Sequence, residues 1–97
     1  MNAVNEHVIH EVPFPPGQIV VTRRIADELN SLVIGHLLSR HLHCDWGDLC
    51  EEDWKLNDAA VRHGERLLSA YKAADQKVFI ITEWDRSATT VLFADEY

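Results

Sequence analysis

The 97-residue chain has no apolar run approaching the ~20 residues that a membrane span requires, so no transmembrane helix is expected. Its start lacks the basic and apolar regions of a secretory signal, which leads us to expect a cytoplasmic protein. Cysteine is scarce: Cys44 and Cys50 are the only two, six apart. In a reducing compartment they are expected as free thiols, and their spacing differs from the close pairs of structural zinc sites. Basic residues are few, nine Lys and Arg against sixteen Asp and Glu, for a net charge of −7. Binding to a phosphate backbone works through cations that displace condensed counterions. Only Arg23-Arg24 forms an adjacent basic pair, so direct nucleic-acid binding is not expected. An acidic surface favours solubility or a basic protein partner instead.

What remains is one domain's worth of ordinary globular composition, 46% hydrophobic and 26% charged. Residues 1–17 read as an extended or flexible tail, because Pro13-Phe14-Pro15-Pro16-Gly17 cannot be helical. Residues 18–97 read as a single α+β domain. "QIVVT" has the β-branched content of a short strand, and Thr22 looks like the cap of a helix bearing Ile25 and Leu29 on one face. A second helix is expected over residues 32–41, where Gly35 either weakens it or admits a close neighbour. A third should begin near Asp48, capped by that carboxylate, with Glu51, Glu52 and Asp53 in its first turn and Gly64 as its stop. Its buried stripe would be Cys50, Trp54, Asn57 and Val61. "ERLLSAYKA", "KVFIITEW" and "ATTVLFA", separated by "ADQ" and "DRS", read as a three-stranded antiparallel meander. The middle strand, Val78 to Trp84, would be buried on both faces. The fold expected is α+β: two to three helices packed on that meander, with a short N-terminal strand as a possible addition.

The residues that could carry chemistry crowd into "RHLHCDWGDLCEEDWKLND", Arg40 to Asp58. His36, His41, His43, Cys44, Asp45, Asp48 and Cys50 offer metal-ligand atoms, but their spacings suit a tetrahedral zinc site poorly, and no metal or other cofactor is expected. Cys44 beside His43 is a weak nucleophile–base pair, because neighbouring carboxylates raise a thiol pKa. A ribonuclease-like site would use His41 or His43 as acid and base, Arg86 to hold phosphate, and Ser87, Thr89 and Thr90 as donors. The simpler reading makes "DRS" a hairpin turn held by Asp85. In Asp45-Trp46-Gly47-Asp48 the glycine permits a tight turn, the carboxylates accept backbone N–H groups and Trp46 anchors the core. Arg40 and Arg66 are candidate ion-pair partners for those carboxylates.

"DWGDLCEEDWKLND", "GERLLSAY" and "IITEWDRSATTVLFADEY" resemble a family of small bacterial "plasmid-related" proteins found on plasmids, phages and other mobile elements. The resemblance covers residues 17–97. Its motif falls on Arg40, His41, Asp45, Trp46, Gly47, Asp48, Asp53 and Asn57, then on Gly64, Arg66, Ser69, Ala70 and Tyr71. It resumes on Ile81, Thr82, Glu83, Asp85, Arg86, Ser87, Thr89, Thr90, Glu96 and Tyr97. Cys44 stands where the family usually has Gly, Trp84 where it has a small residue, and Ala94 where it has Pro. The resemblance implies a genetic setting rather than a reaction.

The expected function is therefore that of a non-enzymatic accessory protein of a mobile element, acting by protein–protein binding. Its concrete form is an inhibitor of a host defence nuclease complex, of anti-CRISPR or antirestriction type, with carboxylates standing in for phosphates. The candidate contacts are Asp45, Trp46, Asp48, Glu51, Glu52, Asp53, Glu83, Asp85, Arg86, Asp95 and Glu96. A homodimer is a further possibility, and the alternatives are a toxin-like small ribonuclease and a small metal-binding regulator.

Overall fold

Thr22 opens the first helix as its hydroxyl suggests: in the computed structural model, which describes residues 12–97, it accepts the Ile25 amide at 3.2 Å. That helix, α1 (Arg23–Glu28), is preceded by strand β1 (Gln18–Val21). Asn30 caps the next, α2 (Ser31–Leu42), by accepting the Val33 amide at 2.9 Å. Helix α3 (Glu51–His63) ends where Gly64 turns left-handed, at φ 70°, the conformation for which glycine carries no Cβ penalty. Strands β2 (Leu67–Ala73), β3 (Gln76–Thr82) and β4 (Ala88–Phe93) follow, and a 3₁₀ turn spans Ala94–Glu96. No helix among the described residues is long and apolar enough to cross a membrane.

The α+β class and the meander stand. β2–β3–β4 are antiparallel neighbours, and β2 and β3 are joined through Ala74 and Asp75, both at positive φ as a two-residue hairpin turn demands. The sheet is nevertheless four-stranded and mixed, because β1 adds parallel to β4 in the order β1-β4-β3-β2.

Register sorts the side chains into two faces. Tyr71, Val78, Ile80, Val91 and Phe93 share the face on which Ile25, Leu29 and Leu37 pack, so α1 and α2 lie there over the main core. A second cluster joins Phe14, Trp46, Ala60 and Leu67, with α3 beside β2. The opposite face carries Leu68, Phe79, Ile81 and Leu92, with Tyr97 edge-on to Phe79 at 5.9 Å.

Several local expectations need correction. α3 begins at Glu51, not Asp48. Cys50 occupies the cap position with no side-chain bond, because residues 46–48 are held by β2. Of the expected α3 stripe, Asn57 is buried and Trp54 and Val61 pack partly buried against the second core cluster, but Cys50 is exposed and Ala60 is buried in addition. β3 ends at Thr82, and Trp84 is exposed in the following turn, not buried within a strand. A Cβ at Gly35 would meet nothing within 4 Å, so no element approaches there. Residues 12–17 are irregular, bending at Pro13 and Phe14, but anchored, since Phe14 is buried; residues 1–11 of the expected tail lie outside the described residues.

Candidate functional site

The crowded stretch resolves into a clasp. Arg40, near the end of α2, reaches Asp45 through Nε at 2.7 Å and Nη2 at 3.3 Å, and its guanidinium lies 4.7 Å from the centre of the Tyr71 ring. The bonds from Arg40 hold the Asp45 carboxyl below the usual carboxylate range. Asp45 also accepts the Gly47 amide at 3.1 Å, while its carbonyl accepts the Tyr71 hydroxyl at 2.6 Å. Trp46 is wholly buried and donates its indole N–H to Asp58 at 2.9 Å. Ala70 N–H donates to Trp46 O at 3.1 Å and Asp48 N–H to Ala70 O at 2.7 Å. Residues 46–48 thus cover the outer edge of β2 at Ala70. Trp46 is withdrawn from the contact surface by its own burial, and Asp45 is largely committed to Arg40.

His41 is the least expected feature. It is fully buried, with Nδ1 2.5 Å from Ser69 Oγ and Nε2 2.8 Å from Thr82 Oγ1. Thr82 continues to Thr89 at 2.7 Å, and Thr89 donates to Pro16 O at 2.7 Å. Proton counting fixes the direction. A carbonyl only accepts, so Thr89 spends its proton on Pro16 and Thr82 must donate to Thr89. Nε2 of His41 then carries the proton that Thr82 accepts, and bare Nδ1 accepts from Ser69. Burial pushes the His41 pKa down to about 4. A serine on a histidine oriented by a third group resembles the arrangement that activates nucleophiles. Here Ser69, His41, Thr82 and Thr89 are all closed to solvent beneath Phe14 and Trp46, whose rings lie 5.6 and 5.5 Å from the imidazole. His41 therefore cannot meet an external substrate in this conformation. His43 is exposed at the end of α2, with Nδ1 2.7 Å from Ser39 O, so the two histidines do not converge.

Arg86 is also committed. Its guanidinium donates to Glu65 O at 2.6 Å, Ala60 O at 3.1 Å and Glu83 O at 3.2 Å, and lies 5.7 Å from the Phe14 ring centre. A cation at the α3 C-terminus suits the helix dipole, and the same group ties the β3–β4 turn to that helix. Asp85 holds the turn itself by accepting Ser87 N–H at 3.1 Å, and hydrogen bonds from the Ser87 hydroxyl and then its amide lower the carboxyl pKa. Arg86→Ala is expected to cost about 2–3 kcal/mol in urea unfolding, from lost charged hydrogen bonds. Lysine, which cannot span several carbonyls with one planar fork, should restore less than half.

The remaining candidates divide by whether the fold uses them. Asp95 pairs with Arg24 at 2.8 Å, and Glu96 accepts from Thr22 at 3.0 Å and from Phe93 N–H at 2.8 Å. Glu83 is half-buried. Asp48, Glu51, Glu52 and Asp53 are exposed at the start of α3, where an exposed Lys55 pairs with Glu51 at 3.4 Å. No family model, curated protein or solved structure matches the chain.

Beside this acidic turn a groove runs between α3 and the helix-free face of the sheet. Leu49, Leu56, Leu68 and Phe79 give it apolar walls, and Asp53, Arg66 and Tyr97 its polar rim. Leu56 and Tyr97 are 64% and 68% exposed. Arg66 bonds the Tyr97 hydroxyl, not one of the clasp carboxylates. Leu56, Arg66 and Tyr97 are absent from the expected contacts, although Leu56 was legible as an apolar residue off the α3 stripe. Among the described residues no three His, Cys, Asp or Glu side chains gather as a metal cage. Cys44 and Cys50 are unpaired, and burial raises the Cys44 thiol.

Proposed function

We propose that the chain is a non-enzymatic accessory protein of a mobile element that binds another protein through the acidic start of α3 and the adjoining groove. The specific form is inhibition of a host defence nuclease complex, of anti-CRISPR or antirestriction type. One observation carries the reading. Asp45, Asp95 and Glu96 are engaged in holding the fold, whereas Asp48, Glu51, Glu52 and Asp53 face solvent beside exposed Leu56 and Tyr97. Carboxylates beside apolar and aromatic side chains suit a basic protein surface, the charges speeding encounter and the apolar groups supplying buried area.

Purified defence nuclease complexes, offered the protein at low and high salt, test this. Binding should weaken with salt. Combined Glu51→Gln, Glu52→Gln and Asp53→Asn, which remove the charge without setting cations at the helix start, should weaken it at least about tenfold while the protein stays helical by circular dichroism. Absence of binding to any such complex at either salt concentration overturns the proposal.

A further inference from the structure

The two edges of the sheet are treated differently. β2 is covered at Ala70 by residues 46–48 and at Leu68 by the Asn57 side-chain amide, which donates to its carbonyl and accepts its N–H. β1, at the other edge, has no neighbour on its outer side among the described residues. Ile19, Val20 and Val21 are 42%, 39% and 38% exposed. The strand contains no lysine, proline or bulge, the usual devices that keep an edge from pairing.

Its backbone also has a definite polarity. Gln18 N–H donates to Ser87 O at 3.0 Å and Thr22 N–H to Val91 O at 3.1 Å. Alternation along a strand then turns the N–H and C=O of Ile19 and Val21 outward. Two outward residues flanking one inward residue form a self-complementary set: about a two-fold axis, Ile19 meets Val21 of a second copy, Val21 meets its Ile19, and Val20 faces Val20. Charge permits the approach. Residues 12–26 contain no Asp or Glu in a chain with sixteen, and Arg24 is paired with Asp95. The exposed carboxylates at the start of α3 lie at the β2 side.

We infer that β1 is a self-association edge, pairing antiparallel with β1 of a second copy to join two four-stranded sheets into one. Isologous contacts of this kind are the commonest route to closed dimers. A four-residue strand offers less than the roughly 800 Å² per partner of a standard interface, so the dimer is weak and concentration-dependent. This surface is separate from the α3 groove, and its test is independent of the proposed partner.

Sedimentation equilibrium over roughly a hundredfold range of concentration should show the mean mass rising from 11.1 kDa toward twice that value. Hydrogen exchange should slow at the Ile19 and Val21 amides with concentration, while Val20, whose amide faces β4, changes little. Val20→Lys sets two cations face to face at the two-fold and should hold the mass at that of one chain with an unchanged circular dichroism spectrum. A mass of 11.1 kDa throughout, with concentration-independent exchange at Ile19 and Val21, overturns the inference. So does a dimer that survives Val20→Lys with those amides still exchanging freely.

Discussion

Gly47→Ala is expected to lower the melting temperature by roughly 20 °C, the equivalent of about 4 kcal/mol in a domain this small. Gly47 sits at φ 77°, where a side chain costs about 1–2 kcal/mol. A Cβ there would also overlap the Ala70 carbonyl oxygen and the Tyr71 ring. Ala70 is the residue to which residues 46–48 are hydrogen-bonded, so the backbone cannot move away without opening the clasp. Overpacking of such a contact adds about 1–3 kcal/mol. Gly35→Ala is the matched control. With nothing within 4 Å of its Cβ it should stabilise the protein by about 0.5–1 kcal/mol, the helix-propensity gain alone. Thermal unfolding of both variants decides the matter: a Gly47→Ala protein melting within a few degrees of wild type contradicts the clasp.

Acid should weaken the fold through His41. Between the ordinary histidine pKa of about 6.5 and the buried value of about 4, the unfolded chain takes up a proton that the folded chain refuses. The stabilisation is fully present above about pH 6.5 and is lost progressively as pH falls toward 4, to a total of about 3 kcal/mol. Urea midpoints across that interval measure it. His41→Gln removes the titration, so its stability should change much less over the same interval. His41→Ala should cost roughly 3–4 kcal/mol at neutral pH, because it leaves a cavity and strands the Ser69 and Thr82 hydroxyls. If wild type and His41→Gln show the same pH slope, the histidine is not buried neutral in solution.

Local physics was legible along most of the chain. Thr22 and Gly64 mark helix ends because a capping hydroxyl and a left-handed glycine act within a few residues. β-branched density locates β1, β3 and β4 for the same reason, whereas β2 has no β-branched residue. Cys44 is instructive: its φ of 65° is a left-handed geometry that a residue other than glycine rarely adopts. Non-local events were not legible. His41 finds Ser69 and Thr82 at separations of 28 and 41 residues, and nothing near His41 in sequence announces those hydroxyls. Arg86 binds backbone carbonyls, groups that every residue possesses, so no partner type could be read in advance. Of the expected contacts, the α3 carboxylates are left exposed because a helix start needs negative charge but no specific partner. Trp46 could not stay exposed, because its ring packs against Phe14 and His41.

The parallel pairing of β1 with β4 joins Gln18 to Ala88, 70 positions further on. Strand β1 leaves the ribosome early, yet its hydrogen-bonding neighbour is the last strand of the sheet to be made. At about 5–20 residues per second it waits seconds for that neighbour. Closing so long a loop is slow because the entropy is lost before the contact forms, so β1 should dock among the last events of folding. Until then its apolar residues lie within reach of any extended chain nearby, and the growing polypeptide depends on prompt completion of β4 to keep them from straying.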